Sequence, residues 1–304
     1  MTEPMIEVQN FRKVYGAYTA VNNITFTVYR GEIFGLLGPN GAGKTSTLES
    51  LEGLRPSDGG TLRVAGVDPA TEPRKLRNVI GVQLQSGGLP TSITADEAMK
   101  LFCAYHGVVP RFDLLDRLGL KEKRHVEYQG LSTGQQRRLA LALAVAHEPA
   151  VLFLDEPTAG LDVASRVELH NLMHELKARG TSIILATHDM AEAEEMSDRV
   201  AILLQGRLVA VDTPLAITAT GAGLTKVSVN TRSAFLLNNH HTFPAVSQTQ
   251  VRDDYAIYFS INIGQTVAAL INTIEAEGDT LLDLRVERPS LEDRFLELTN
   301  GGTK

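Results

Sequence analysis

The chain has 304 residues, of which 43% are hydrophobic and 21% charged, as in a globular protein with room for two domains. The net charge of −7 argues against the general basic surface of a nucleic-acid-binding protein, and the single cysteine excludes an internal disulfide or a CxxC metal site. No apolar run approaches the ~18 residues that span a bilayer. The N-terminus also lacks a basic region followed by an apolar stretch, so we expect no secretory leader and a cytosolic chain.

Two stretches near the N-terminus, residues 6–11 and 24–28, alternate apolar and polar residues and predict strands with one face in solvent. Tyr15 lies between them, before a turn. From spacing alone, a lone tyrosine there is more often a packing residue than a ligand contact.

The stretch GPNGAGKTS follows the apolar run 33–37 directly and has the phosphate-loop spacing GxxxxGKT. Glycines let backbone N–H groups turn inward, and a helix that begins near Lys44 directs its positive end to the same place. Lys44 then reaches the terminal phosphates, and the Thr45 hydroxyl is placed to hold Mg²⁺. A glycine turn that binds no ligand would not need two glycines, a lysine and a threonine at these fixed offsets, so we predict a nucleoside triphosphate site. Its residues are Gly38, Pro39, Asn40, Gly41, Ala42, Gly43, Lys44, Thr45 and Ser46.

Residues 79–85 predict a further strand with Gln83 and Gln85 on one face. These glutamines either form a solvated edge or reach a phosphate or the attacking water at the carboxyl end of a sheet. The segment 94–119 is predicted to be mostly helical, with a core face at helical spacing.

Ser132 begins another helix, in LSTGQ, and Gln135 three residues later completes a capping box. The capping box explains the serine without a ligand, although a helix N-terminus with a serine and a glycine is also an anion site. The continuous apolar run 151–154 predicts a central strand that delivers Asp155 and Glu156 to the carboxyl end of the sheet. Two adjacent carboxylates suit a cation and a proton-transfer task, with Asp155 on Mg²⁺ and Glu156 on the attacking water.

Helices and strands are predicted to follow one another in the rest of the chain as well. Asp162 is predicted to cap the helix 163–179, and the central strand 182–186 leads to His188. Residues 200–204 and 208–211 form a predicted hairpin, and 214–223 a linker. We expect residues 1–218 to form one domain and 219–304 a small α+β domain without a catalytic constellation.

In chain order, the phosphate loop, Gln85, LSTGQ, Asp155-Glu156, AGLD and His188 resemble the ATP-binding subunit of an ATP-binding cassette (ABC) transporter over about residues 1–215. The resemblance implies an α/β P-loop NTPase core, RecA-like, with antiparallel β and helical subdomains, the helical one at about 86–148. The tail, with ERPSLEDRF at 287–295, is similar to the C-terminal extension of the drug-exporter subgroup of the daunorubicin-resistance type.

The resemblance also implies roles for matching positions. Tyr15 would stack on adenine, and Gln85, rather than Gln83, would sense the γ-phosphate and Mg²⁺. Asp155 would hold Mg²⁺, Glu156 would be the catalytic base and His188 would contact the γ-phosphate. The remaining implied site residues act between subunits: Ser132, Gly134, Gln135 and Asp162. Thr133 departs from the family's usual LSGGQ, yet we expect a working site because Ser132 and Gly134 remain.

By this resemblance, two copies would close head to tail on two ATP molecules, and a separate integral membrane permease would dock on the helical segment after Gln85. The chain would then lie at the cytoplasmic face of the membrane and power export of a drug or lipid-like molecule, without a nucleic-acid partner. Alternatives are an importer ATPase, a soluble cassette that acts on DNA or ribosomes, a regulatory module without turnover, and pairing with a degenerate partner.

Overall fold

The computed structural model describes residues 3–83, 88–219, 224–238 and 241–300. The helices are α1 (Lys44–Leu51), α2 (Pro73–Val79), α3 (Ala95–His106), α4 (Phe112–Arg117), α5 (Thr133–Val145), α6 (Val163–Ala178), α7 (Met190–Met196), α8 (Pro214–Ala219), α9 (Phe235–Asn238), α10 (Ile263–Ala276) and α11 (Leu291–Asn300). The strands are β1 (Pro4–Tyr15), β2 (Tyr18–Tyr29), β3 (Ile33–Leu37), β4 (Gly59–Val64), β5 (Ile80–Gln83), β6 (Val151–Asp155), β7 (Ser182–Thr187), β8 (Arg199–Leu204), β9 (Arg207–Asp212), β10 (Thr225–Thr231), β11 (Val246–Arg252), β12 (Tyr255–Ser260) and β13 (Leu281–Glu287). Contacts divide the chain into two compact units, Met1–Pro214 and Leu215–Lys304.

A six-stranded sheet with the order β5-β6-β7-β3-β8-β9 forms the centre of the first unit. All its neighbours pair in parallel except β8 and β9, which form the predicted hairpin. Strands β3, β6 and β7 lie side by side, and their residues are almost wholly buried because both faces of the sheet are covered by other elements. Their carboxyl ends therefore meet at one edge, where the phosphate loop, Asp155 and His188 follow.

A second, antiparallel sheet with the order β2-β1-β4 shares an apolar core with the central sheet. Phe26 of β2 stacks on Phe34 of β3, with ring centroids 5.2 Å apart and ring planes 8° apart. Phe11 and Phe153 belong to the same core. This packing fixes the strand before the phosphate loop against the β1–β2 hairpin that carries Tyr15.

A second apolar core joins the helical segment to the other face of the central sheet. The segment 94–119, predicted to be mostly helical, contains two helices: α3 ends at His106, a loop follows, and α4 begins at Phe112. Gly107 takes the left-handed conformation that ends many helices, and Pro110 follows it, so the helical segment is divided in two.

The strand predicted over 79–85 begins one residue later in the structure. Val79 is the last residue of α2, whose first turn begins at Pro73, and β5 runs from Ile80 to Gln83. Gln85 lies outside the described residues. Gln83 pairs with Leu154 of β6, and its side chain is buried.

The second unit contains a four-stranded antiparallel sheet with the order β11-β12-β10-β13. Its chain order of strand, helix, two strands, helix and strand is the ferredoxin-like arrangement. Val229, Tyr258 and Leu270 are buried in its core. The predicted linker is helical in its first part, as α8, and residues 220–223 lie outside the described parts. None of the helices in the described residues is both long and apolar enough to cross a membrane.

Candidate nucleotide site

The phosphate loop turns sharply between β3 and α1. Gly38 has φ 156° and Gly43 has φ 106°. A Cβ atom on Gly38 would lie 2.3 Å from the Leu203 carbonyl oxygen, and one on Gly43 would lie 2.6 Å from that of Ala20. Only glycine fits both the backbone angles and these close approaches, so the loop is built to keep its backbone N–H groups facing the space above the sheet.

Lys44 begins α1 and is buried, and its ammonium group bends back over the loop. Nζ donates hydrogen bonds to the carbonyl oxygens of Gly38 at 2.6 Å and Pro39 at 3.4 Å. Burial lowers the pKa of Lys44, while the carboxylates of Glu156 and Asp155 oppose this shift. The cation is thus held inside the loop, facing two negative charges from the neighbouring strand end.

Asp155 is the last residue of β6 and faces the first turn of α1. Burial raises its pKa, the adjacent Glu156 carboxylate raises it further, and both Lys44 and a hydrogen bond from Thr45 lower it. A hydroxyl and a carboxylate in contact are oxygen ligands of the kind that Mg²⁺ takes in nucleotide sites, and a divalent cation there would offset the repulsion between the two carboxylates. The residues present therefore fit a magnesium ion.

Glu156 is buried and is held by the residues that follow β7. His188 Nδ1 lies 2.7 Å from Oε1 of Glu156, and the backbone N–H of His188 donates to the same oxygen at 3.1 Å. The Thr187 hydroxyl donates more loosely to Oε2, at 3.4 Å. The imidazole of His188 is 64% exposed, so it covers the carboxylate on the solvent side. These contacts fix the orientation of the Glu156 side chain at the edge of the site.

Tyr15 lies against the phosphate loop. Its hydroxyl donates to Ser46 Oγ at 3.3 Å, and its ring is 38% exposed. Tyr18, across the β1–β2 turn, donates to the Gly41 carbonyl oxygen at 3.3 Å. An open cavity of about 350 Å³ is lined there by Tyr18, Thr19, Pro39, Asn40, Gly41, Ala42 and Gln205.

The LSTGQ and AGLD segments form a second cluster. Ser132 and Gln135 make the predicted capping box at the start of α5, in which the serine oxygen accepts from the Gln135 N–H at 3.3 Å. Asp162 caps α6 by accepting from the N–H and hydroxyl of Ser165, and these hydrogen bonds lower its pKa. In the parts of the chain that the structure describes, no hydrogen bond joins Ser132, Gly134 or Gln135 to the phosphate loop.

Sequence reasoning missed four residues of this region. Tyr18 contacts the phosphate loop, and Thr187 contacts Glu156. No sequence motif marks either contact. Arg137 donates to backbone carbonyl oxygens after β6, although the pair Arg137-Arg138 is visible in the sequence. Glu52, directly after α1, gives no signal because a glutamate at a helix end is usually solvated.

Glu52 is a buried acid beside the nucleotide site. Its side chain is 7% exposed, and its Oε2 atom has no hydrogen-bond partner in the described residues. Burial raises the pKa of Glu52 to about 8, and the carboxylates of Asp155 and Glu49 add to the rise. At neutral pH the folded protein therefore carries Glu52 mainly as a neutral acid.

Replacing this acid is expected to stabilise the protein, and more so as the pH rises. The pKa of about 8 in the folded protein exceeds the ordinary glutamate value of 4.5, so the folded state keeps a proton that the unfolded state releases. The free energy of unfolding of the wild type consequently falls as the pH rises from 4.5 to about 8. Glu52→Gln removes the titration, and a gain of a few kcal/mol at pH 8 is expected, with little gain at pH 5.

Urea unfolding of both proteins at pH 5 and pH 8 measures this effect. Glu122→Gln, at an exposed glutamate, is the matched control and should change the free energy of unfolding equally little at both pH values. The prediction is contradicted if the free energy of unfolding of Glu52→Gln differs from that of the wild type by the same amount at pH 5 and at pH 8.

Comparison with known proteins places this geometry in a family. Residues 21–159 match the family described as ABC transporter. The chain is 32% identical over 308 residues to the linearmycin resistance ATP-binding protein LnrL of Bacillus subtilis (strain 168), covering 97% of this chain and 98% of the relative. It is 35% identical over 309 residues to the Nod factor export ATP-binding protein I of Paraburkholderia xenovorans (strain LB400), covering 98% of each.

Solved structures agree with these relatives. An ATP binding subunit of an ABC transporter has a TM-score of 0.68 and 29% identity, with 71% of this chain and 92% of that chain covered. A dimeric cassette in a post-hydrolysis state, bound to ADP and Pi, has a TM-score of 0.64 and 24% identity, with 69% and 98% covered, and shows the same fold. With relatives matched over nearly their whole length, this chain belongs to the ABC transporter family as an ATP-binding subunit that hydrolyses ATP.

Proposed function

We propose that this chain powers the export of a small molecule, drug-like or lipid-like, through a separate membrane permease. The observation that carries the proposal is that relatives named for linearmycin resistance and for Nod factor export align along almost the entire chain, including the C-terminal unit. A shorter match, 40% identical over 206 residues, is a fluoroquinolones export ATP-binding protein of Mycobacterium tuberculosis. In this proposal residues 1–218 are the ATP-binding domain and 219–304 an accessory domain.

In the proposed reaction, the phosphate loop binds the nucleotide, and residues at the strand ends act on the attacking water and the γ-phosphate. The N–H groups of 38–46 and the ammonium of Lys44 hold the phosphates, and Tyr15 stacks on adenine. The Glu156 carboxylate accepts a proton from the water that attacks the γ-phosphate, and His188 holds that carboxylate and contacts the phosphate. Gln85 keeps its predicted role at the γ-phosphate and the cation.

Thr45 and Asp155 are the proposed ligands of Mg²⁺, together with Gln85. Their oxygens suit this ion, and Asp155 is already in contact with Thr45. When bound, Mg²⁺ would neutralise charge that develops on the β- and γ-phosphates.

The proposed working unit is a head-to-tail dimer of two copies of this chain. Ser132, Gly134 and Gln135 of one copy would contact the γ-phosphate of the ATP held by the other, and Asp162 would link the copies. In support, α5 begins at Thr133, directly after its cap residue Ser132, and a helix N-terminus is the kind of site that receives phosphate. The related cassette bound to ADP and Pi is a dimer.

A membrane permease is the proposed partner on the helical segment, which would hold the chain at the cytoplasmic face of the membrane. In support, α3 carries large apolar side chains in solvent: Leu101 is 56% exposed and Tyr105 62% exposed. Phe102 and Val109 extend this apolar surface. Such a surface is typical of a protein interface rather than of a free helix.

Affinity purification of a tagged chain from gently solubilised membranes of its native host tests the proposal. A stoichiometric polytopic membrane protein that co-purifies with the tagged chain is the expected result. Leu101→Glu combined with Tyr105→Glu should lose that partner, while Val163→Glu, at an exposed valine on α6, should keep it. Recovery of the wild type from the soluble fraction with ribosomes or DNA, and without a membrane protein, would contradict the export assignment.

A further inference from the structure

Arg137 lies on α5, and its guanidinium group leaves that helix to reach the segment after β6. Nη1 donates to the carbonyl oxygen of Ala159 and, more loosely at 3.4 Å, to that of Glu156. Within the described chain, Arg137 has no carboxylate at ion-pair distance. The cation is therefore directed entirely to main-chain oxygens of the turn that carries Glu156.

This turn has an unusual backbone. Glu156 has φ 50°, in the left-handed region that side chains other than glycine seldom adopt. Its N–H donates to the Ala186 carbonyl oxygen at 2.9 Å, and its own carbonyl oxygen accepts from the Ala159 N–H at 3.3 Å. A strained conformation persists only where its surroundings hold it. Arg137 supplies charge-assisted donors to that turn, at both of its ends.

The contact also joins two functional segments. Arg137 is one helical turn from Gly134 at the start of α5, and Ala159 begins the AGLD segment. The two segments lie close elsewhere too, since a Cβ atom on Gly134 would be 3.6 Å from the Gly160 carbonyl oxygen. Arg137 therefore ties the helix that starts with LSTGQ to the peptide that orients Glu156.

We propose that Arg137 is a positioning residue for ATP hydrolysis: it holds the turn from Glu156 to Ala159 so that the Glu156 carboxylate faces the attacking water. This inference rests on the proposed role of Glu156. It assigns Arg137 no contact with the nucleotide, so substrate binding should not depend on it. A lysine keeps the positive charge, but its single ammonium on a flexible stem lacks the rigid planar geometry of the guanidinium that holds Nη1 between the two carbonyl oxygens.

Steady-state ATPase kinetics of Arg137→Met, Arg137→Lys and Gln136→Ala test the inference. Gln136 is the matched control, because it lies on the same helix and donates from its side chain to a backbone oxygen, that of Tyr128 at 2.9 Å. Arg137→Met should lower kcat about tenfold or more with KM for ATP within about twofold, a barrier increase of ~1.4 kcal/mol per tenfold. Arg137→Lys should recover part of the loss, and Gln136→Ala should keep wild-type kcat.

The outcomes separate the inference from the proposed function. Wild-type kcat in Arg137→Met, a rise in KM without a fall in kcat, or an equal loss in Gln136→Ala would overturn the role of Arg137 and leave the base assignment standing. Wild-type turnover in Glu156→Gln would instead remove the base assignment itself. Melting temperatures of all variants fix an assay temperature at which each is folded, and Arg137→Lys retains the charge should Arg137→Met fail to fold.

Discussion

Glu156→Gln is expected to lower steady-state ATP turnover at least a hundredfold while ATP affinity stays within about threefold of wild type. The amide keeps the shape of the side chain and can still contact His188 and Thr187, but it cannot take a proton from the attacking water. General-base contributions of 10²–10⁴ set the expected size of the loss. Phosphate release measures turnover, and a fluorescent nucleotide measures affinity.

Glu32→Gln is the matched control for this substitution. Glu32 is also buried and accepts from the Tyr29 N–H at 2.6 Å and from Arg199 at 3.1 Å, but it lies at the amino end of β3, opposite the phosphate loop. We expect it to lower the melting temperature and leave turnover per folded protein nearly unchanged. Wild-type turnover in Glu156→Gln, or an equal loss in both variants, would contradict the assignment of Glu156 as the base.

Gly134→Asp is expected to reduce turnover to background and to prevent ATP-dependent dimer formation, while one chain alone still binds ATP. In the proposed dimer the new carboxylate would face the γ-phosphate of the opposing ATP, and like charges repel strongly at such distances. The fold should tolerate the change, because a Cβ atom at Gly134 meets only ordinary contacts and an acidic residue suits the first turn of a helix.

Gly264→Asp provides the control for this charge reversal. Gly264 is the second residue of α10, as Gly134 is of α5, and follows a side-chain cap, Asn262, as Gly134 follows Ser132. Its position in the second unit carries no proposed nucleotide role. Size-exclusion chromatography with ATP should show a dimer for Gly264→Asp and a monomer for Gly134→Asp. Dimer formation by Gly134→Asp at the wild-type ATP concentration would contradict the intersubunit role.

Much of this fold was predictable, because local chemistry and packing agree. The buried strand β3, the glycines after it and the cap at Ser132 each demand a particular backbone conformation, and the structure has it. The C-terminal unit combines strands and helices, among them β11, β12 and α10, as expected of the predicted small α+β domain. Family resemblance added what periodicity lacks, namely the order of motifs that ties distant residues to one nucleotide.

Other features depend on tertiary contacts that leave no periodic trace. Arg137 has the spacing of an ordinary helix residue, and its task is visible only when the turn after β6 comes to lie beside α5. Glu52 becomes a neutral acid because folding buries it, and because Asp155, more than a hundred residues away in the chain, then lies near enough to raise its pKa further. The apolar spacing over 94–119 predicted helical structure, but it did not say where α3 ends and α4 begins. The role of Gln85 stays a prediction.

The molar mass of Glu156→Gln, measured by light scattering with and without ATP, tests the central claim most directly. The variant binds ATP without consuming it, so the nucleotide-bridged state should accumulate. The account predicts one chain without ATP and two chains holding two ATP molecules with it, and a return to one chain when Gly134→Asp is added. A single chain at saturating ATP, or a dimer of the same size without nucleotide, would contradict an ATP-driven head-to-tail cassette.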